Sequence, residues 1–372
     1  CTNNLSQALA KDLSLSDSSS LLDRLNKSAD SSIPPTPTSD TEDAHPSSPE
    51  ESPLSRPGTL FLLTHAIFSS TLFSTTHLKL PTLSLFPSFA GILESFVGIE
   101  GPETTGTEDT SIIDALLAIG LWLEENDKFV AGPLSDENFL TTLQTLSLIS
   151  ANCPDEKLRF AAHTLTGSIF HAHPSDKVRV TFLSDTLEHC PFEALRANAV
   201  AWLKEELITA YQRSSSMFQS PSIDNLDDHH AHGHTHSPQK NAFATPAAIS
   251  LLQPYLFPYE SVLTVESDEE LWEEFQRTYV FHMAALGFLI FLSQWPGSSQ
   301  VVPEGMMTVV EEVYVMPLKG ACDRLAKMLD PASKTSAETL KGWGEHAKEA
   351  GLREAKMLRE RIERLEEVVE RE

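Results

Sequence analysis

A run of alternating histidines offers the first candidate chemistry in this sequence. Residues 229–236 read HHAHGHTH, and closely spaced imidazole nitrogens can bind zinc, copper or nickel. Structural zinc sites, however, take cysteine and histidine ligands that a folded element presents. This run lies in a polar stretch without periodicity, so it supplies only weak metal candidates and no resident metal is predicted. The candidates are His229, His230, His232, His234 and His236.

Cysteine is the second residue type that could do chemistry. Cys1, Cys153, Cys190 and Cys322 show neither CxxC spacing nor the framework of a secreted scaffold. A reducing compartment, the cytoplasm and also the nucleus, is therefore expected. Cys153 and Cys190 are candidate redox thiols, because each precedes a predicted helix start, where a thiol pKa is lowered. Nearby carboxylates oppose the thiolate, so two buried structural cysteines are the alternative.

An acidic helix face could bind a protein partner. Residues 266–275 read ESDEELWEEF, which places Glu269, Glu270 and Glu273 around Trp272, a residue type that often anchors interfaces. The alternative is a solvated face with Trp272 turned into the core. The formal net charge of −26 would attract a basic partner. It argues against direct binding to nucleic acid and to anionic membranes.

Nothing in the sequence orders these residues into a catalytic site. GxSxG, P-loop, GxGxxG and HExxH motifs are all missing from the sequence. His163, His171, His173 and His189 lie near the cysteines, but no pattern assigns a nucleophile, a base and an orienting group. The sequence therefore predicts a protein that is not an enzyme and that uses no cofactor.

Four proline connectors divide the middle of the chain at near-constant steps. Pro133, Pro154, Pro174 and Pro191 are each followed within three residues by Asp or Glu. Proline is tolerated in the first turn of a helix, and acidic side chains there favour the positive end of the helix dipole. Each connector is therefore predicted to start a helix.

Apolar residues recur at helical spacing between these connectors. Segments 135–150, 155–172, 175–190 and 191–211 each carry a one-sided apolar stripe. A pair of helices every ~40 residues is the cadence of a HEAT/armadillo-like α-solenoid, with an ordinary helical bundle as the alternative. The predicted fold is all-α, with the repeat domain over 58–330.

Polar segments flank and interrupt this repeat domain. Residues 1–57 are rich in Ser, Pro and acidic side chains and are predicted to be disordered. Residues 213–243, which contain the histidine run, are predicted to be a disordered insertion. Residues 335–372 form a charged helix that either caps the array or binds a partner. The most apolar run, 277–295, is expected to be a buried helix rather than a membrane span.

One stretch resembles a known family. Residues 161–207 read AAHTLTGSIFHAHPSDKVRVTFLSDTLEHCPFEALRANAVAWLKEEL and are similar to the fungal branch of the Yap-binding-protein/Alf/glomulin family. The likeness is most specific over 173–179 and 187–204, and a weaker likeness extends over 110–330. It implies a helical-repeat adaptor. The family motif is structural, so the resemblance assigns no catalytic or binding residue.

The resemblance implies different partners in different branches. Fungal Yap-binding proteins bind an AP-1-like basic-leucine-zipper (bZIP) stress transcription factor and assist its peroxide-induced oxidation by a thiol-peroxidase sensor. A sister protein is kinetochore-associated, and glomulin blocks the RING subunit of cullin ubiquitin ligases. We therefore expect an adaptor of the oxidative stress response, with a glomulin-like ligase inhibitor or a kinetochore scaffold as the alternative.

Overall fold

Helices make up the part of the chain that the structure describes. This computed structural model describes residues 55–73, 82–217, 241–258, 267–330 and 344–370. Within these ranges the backbone forms no strand, and one isolated parallel bridge joins Phe86 to Val130. The all-α fold class is therefore confirmed. Residue contacts divide the chain into two compact units, Cys1–Ala172 (unit 1) and His173–Glu372 (unit 2).

Unit 1 is a two-layered stack of helices. In one layer α3 packs between α1 and α5, while α2 packs on α4 in the other layer. The layers are joined by contacts of α2 with α3 and of α4 with α5. Such contacts between alternate helices are those of stacked helical repeats. The helices are α1 Arg56–Phe73, α2 Ser88–Phe96, α3 Thr110–Glu125, α4 Asp136–Asn152 and α5 Glu156–Ala172.

Unit 2 contains longer helices around a larger core. Its helices are α6 Asp176–His189, α7 Glu193–Met217, α8 Pro246–Leu256, α9 Asp268–Gln294, α10 Ser298–Val301, α11 Met306–Val310, α12 Met316–Leu329 and α13 Glu345–Val369. A 3₁₀ turn, Ala242–Ala244, precedes α8, and a π-helical turn, Glu311–Val315, joins α11 to α12. Helix α6 packs on α7 and α8, α7 packs on α9, and α9, α12 and α13 pack on one another.

The helix starts in the middle of the chain are set by capping side chains. Asp155 Oδ1 accepts the backbone N–H two residues further on at 2.8 Å, and Ser175 Oγ accepts the N–H three residues further on at 3.4 Å. Such bonds satisfy N–H groups that lack partners within the helix. Pro154 and Pro174 stand one residue before these caps, outside the first helical turn in which the sequence pattern predicts them. Pro246, by contrast, is in the first turn of α8.

Two segment boundaries differ from those that the sequence predicts. Helix α1 begins at Arg56, two residues before the predicted start of the repeat domain. Helix α7 continues to Met217, so the first five residues of the predicted insertion 213–243 are helical. Residues 1–54 and 218–240, which hold nearly all of the predicted tail and insertion, lie outside the described residues.

Helix α9 contains the most apolar run of the sequence and is a core helix of unit 2. Its length and composition would suffice for a membrane span, but 56% of its most apolar window is buried within the protein. Phe275, Phe281, Leu286 and Leu289 are each at most 1% exposed. Burial of such side chains contributes roughly 1.5–3 kcal/mol each, so packing against α7, α12 and α13 accounts for the apolar character of this helix.

Candidate partner-binding grooves and thiols

Burial governs the chemistry of the cysteines. Cys153 follows the last residue of α4, and Cys322 lies within α12; each is 1% exposed. Burial raises the pKa of the Cys322 thiol to about 12. The three cysteines of the described residues, these two and Cys190, are free thiols. Cys1 lies outside those residues.

Cys190 lies where α6 ends rather than where a helix begins. It is half-buried, and its Sγ donates a weak hydrogen bond to the backbone oxygen of Phe192 at 3.8 Å. Burial raises the pKa of this thiol, and the carboxylates of Glu193 and Asp185 add to the increase. The structure therefore gives Cys190 the opposite shift from the one expected at a helix start, and a raised pKa slows reaction with peroxide.

The acidic face and its aromatic residue point in different directions. Glu269, Glu270 and Glu273 are exposed on the first two turns of α9. Trp272 is only 2% exposed and lies under Gly351 of α13. Trp272 is thus a core residue that holds the C-terminal helix, and the exposed glutamates remain the part of this site that a partner could reach.

No described residues form a metal site. Within the described ranges, no group of three or more His, Cys, Asp or Glu residues is placed to hold a metal ion. His229, His230, His232, His234 and His236 lie outside those ranges.

A polar cluster inside unit 2 was not foreseen from the sequence. His282 Nδ1 and Tyr314 Oη are 2.9 Å apart, and both residues are buried. Burial, together with the charge of Arg196, lowers the pKa of His282 to about 3, so the imidazole is neutral. Arg196 lies 4.1 Å above the ring of Phe281 and binds both carboxylate oxygens of Glu193. The cluster therefore joins α7, α9 and the π-helical turn.

A groove crosses three neighbouring helices of unit 1. This unit-1 groove has a volume of about 670 Å³. Because α3 packs between α1 and α5, Ser111 and Ala118 of α3 form its floor. Phe61 and His65 of α1 form one wall, and Lys157 of α5 belongs to the other. The middle helix contributes mostly small side chains to the lining, together with Asp114.

A second groove lies in unit 2, at the end of α13. This unit-2 groove has a volume of about 390 Å³. One wall comes from residues 307–319, the other comes from the last turn of α13, and Leu289 of α9 lies at the base. Val369, near the end of α13, lines this groove and is 43% exposed, whereas Leu365, one turn earlier, is buried. In the sequence, an apolar residue at the end of a charged helix is the only sign of this groove.

An all-α architecture whose surface grooves lie between packed helices is typical of protein-binding scaffolds. The chain belongs to the family described as an uncharacterised protein family, YAP/Alf4/glomulin, whose model matches residues 3–360. The match covers nearly the whole chain and so confirms the family that the sequence resemblance indicated. It supports a helical adaptor of the Yap-binding/glomulin type. No curated protein matches the chain.

Proposed function

We propose that this chain is a non-enzymatic adaptor that binds an AP-1-like stress transcription factor and promotes its peroxide-induced oxidation by a thiol peroxidase. The family match over residues 3–360 is the observation that carries this proposal. An adaptor that holds two proteins together raises their effective concentration and orients the reacting groups, which accelerates a reaction without a catalytic residue of its own. Such an adaptor would act in the cytoplasm and the nucleus, where the factor is oxidised and retained.

The properties of the cysteines support a scaffold rather than a thiol relay. Cys153 and Cys322 are buried, and the pKa values of Cys190 and Cys322 are raised. A relay would need an accessible thiolate that attacks or is attacked by a partner's sulfur. In the proposed mechanism peroxide oxidises a thiol of the peroxidase to a sulfenic acid and is itself reduced to water. A thiol of the factor condenses with this sulfenic acid to form a mixed disulfide and a second water, and another thiol of the factor then displaces the peroxidase thiol, which leaves a disulfide in the factor. The adaptor gains and loses no electrons.

Reconstitution with purified proteins tests this proposal. The full chain, the transcription factor and the thiol peroxidase are mixed, peroxide is added, and disulfide formation in the factor is followed by thiol alkylation and gel mobility. We expect the chain to increase the initial rate of disulfide formation by about tenfold or more, as effective concentrations in the millimolar range allow. An unchanged rate, with no complex between the chain and the factor, would overturn the proposal.

A variant without the three cysteines of the described residues distinguishes a scaffold mechanism from a thiol relay. The variant Cys153→Ala/Cys190→Ala/Cys322→Ala should retain the rate increase, provided that its circular dichroism and melting curve show a folded protein. Loss of the rate increase in a folded variant would show that the thiols of this chain take part in the oxidation.

The alternative is a glomulin-like inhibitor of a cullin–RING ligase, because the family description also names glomulin. Ubiquitin-chain formation by such a ligase, measured with and without the full chain, tests this function. Suppression of chain formation together with an unchanged oxidation rate would move the assignment to this branch. Capture of kinetochore subunits from cells, regardless of peroxide, would support the kinetochore scaffold.

A further inference from the structure

The unit-2 groove is apolar at its base, and of the Leu and Val side chains that line it only Val369 is more than 5% exposed. Leu289 lies at this base, Val310 and Val315 line one wall, and Leu365 and Val369 of α13 line the other. Side chains from three separate helical segments thus converge on one concave surface. Apolar surfaces of this kind, when bordered by polar residues, commonly mark interaction sites.

The wall of the groove is fixed from inside the protein. Within the π-helical turn Glu311–Val315, Tyr314 faces the core and bonds His282 at 2.9 Å. Glu311 and Val315 of the same turn line the groove. π-helical turns occur frequently at functional sites. A wall that is anchored in this way loses little conformational freedom when a ligand binds, which favours affinity.

The rim of the groove is acidic. Glu311, Glu366 and Glu370 line it, and the one cation among the lining residues, Lys319, is ion-paired with Glu366. The lining residues therefore carry three carboxylates and one ammonium group. A ligand with basic groups on either side of an apolar face would complement this rim and would be attracted to it before contact.

We propose that the unit-2 groove binds an amphipathic helix of a protein partner, with large aliphatic side chains on the base and Lys or Arg at the rim. The volume of about 390 Å³ lies in the range of binding pockets. Helix-in-groove recognition needs an apolar channel with a polar border, which this groove supplies. The proposal rests on the proposed function only in that the ligand is a protein. It does not depend on which partner the adaptor serves.

A designed peptide provides the probe. A fluorescein-labelled helical peptide of about 20 residues carries Leu at i, i+3, i+4 and i+7 and Lys or Arg elsewhere. A scrambled peptide of equal composition lacks the apolar stripe. We expect saturable binding of the first peptide to the purified full chain, measured by fluorescence anisotropy, and at least about tenfold weaker binding of the scrambled peptide. Equal binding of the two peptides would show charge attraction only and would overturn the proposal.

Two variants test whether the peptide binds in this groove. Thr308 is exposed and lines the groove, so Thr308→Arg introduces bulk and positive charge without disturbing the core. The double variant Glu311→Lys/Glu370→Lys reverses the rim charge. Each variant should weaken the binding of the designed peptide by about tenfold. The matched controls are Thr181→Arg, on an exposed position of α6, and Glu360→Lys, on an exposed position of α13 outside the groove.

The control variants and the oligomeric state of the protein decide whether the proposal holds. The proposal is overturned if the control variants weaken binding as much as the groove variants, or if neither groove variant weakens it. It is also overturned if sedimentation shows a dimer that Thr308→Arg dissociates, because a second copy then occupies the groove. This peptide assay and the oxidation assay use different ligands, so a failure in one is distinguishable from a failure in the other.

Discussion

Arg179 and Glu206 form an ion pair inside unit 2 that ties α6 to α7. Arg179 Nε and Glu206 Oε2 are 3.2 Å apart, and the side chains are 4% and 6% exposed. Arg179 also donates to the backbone oxygen of His173 and lies 5.6 Å from the ring centre of Phe243. The two charges compensate each other at a place where little water reaches either side chain.

Removal of one member of this pair should destabilise unit 2 strongly. We expect Glu206→Ala to lower the free energy of unfolding by about 3 kcal/mol or more, because the guanidinium of Arg179 would remain buried without its carboxylate. The double variant Arg179→Met/Glu206→Leu should recover a large part of this loss. Urea unfolding followed by circular dichroism measures both.

A partly exposed pair provides the comparison. Arg359 and Glu363 of α13 are 3.0 Å apart but are 28% and 53% exposed. Glu363→Ala should change the free energy of unfolding by only about 0.3–0.5 kcal/mol. Equal losses from Glu206→Ala and Glu363→Ala would contradict the role assigned to the buried pair.

His282 makes the stability of unit 2 depend on pH. Its pKa in the folded protein is lowered to about 3 by burial and by Arg196, whereas an unfolded chain has a histidine pKa near ~6.5. The unfolded state therefore binds a proton at a pH where the folded state does not. The stability that accompanies neutral His282 is fully present above about pH 6.5 and is lost as the pH falls towards 3.

The variant His282→Gln isolates this contribution, because glutamine can still bond the hydroxyl of Tyr314 but does not titrate. Between about pH 7.5 and about pH 5, the wild-type protein should lose about 2 kcal/mol more stability than the variant. Urea unfolding at the two pH values gives the difference, and carboxylates cancel because both proteins contain them. Parallel losses in the two proteins would show that His282 is not the titrating group.

At the scale of elements, the sequence predicts those helices whose apolar residues recur at helical spacing. Helices α4 to α7 were predictable because their apolar residues step by three and four and because turn residues separate them. The π-helical turn Glu311–Val315 leaves no such trace, since it adds one residue per turn within an otherwise ordinary helix. The sequence left two orientations of Trp272 open, and the structure shows the inward one. Its packing against Gly351, far away in sequence, could not be predicted from either segment alone.

Gly351 determines how α13 docks on α9. A methyl group at this position would overlap the indole of Trp272. Gly351→Ala should therefore destabilise the docked helix by about 1–3 kcal/mol, although alanine is the better helix former by about 1 kcal/mol. Thermal unfolding measures the loss, and limited trypsin digestion within α13, which contains several Lys and Arg residues, should become faster.

Gly320 in α12 is the matched control for this substitution. It is also helical, but a methyl group there meets no atom within 4 Å. Gly320→Ala should leave trypsin digestion unchanged and raise stability by up to about 1 kcal/mol. A stable Gly351→Ala protein with unchanged digestion would show that α13 does not rest on Trp272.

At the scale of the molecule, binding surfaces form where distant segments meet. The unit-2 groove combines Leu289 with residues 307–319 and 365–370, and the unit-1 groove combines three helices of one layer. A single sequence predicts helices but not which exposed faces adjoin, because adjacency depends on packing across tens of residues. The family match and the grooves are therefore complementary: one identifies the class of protein, and the other shows where it could hold a partner.

Net charge leads to a prediction about what this adaptor does not bind. The chain has 53 acidic and 27 basic side chains, a formal charge of −26, so phosphate backbones are repelled at long range. A DNA-binding protein shows non-specific dissociation constants of about 10⁻⁴–10⁻⁶ M because cations neutralise phosphates and release counterions. We expect no saturable binding of a labelled DNA duplex to the full chain at low salt, where any such attraction would be greatest.

Addition of a bZIP factor should bring the chain onto the duplex in anisotropy and gel-shift assays, because the chain then contacts the factor and not the DNA. Saturable binding of the duplex without the factor, weakened by salt, would show a cationic surface that the net charge conceals.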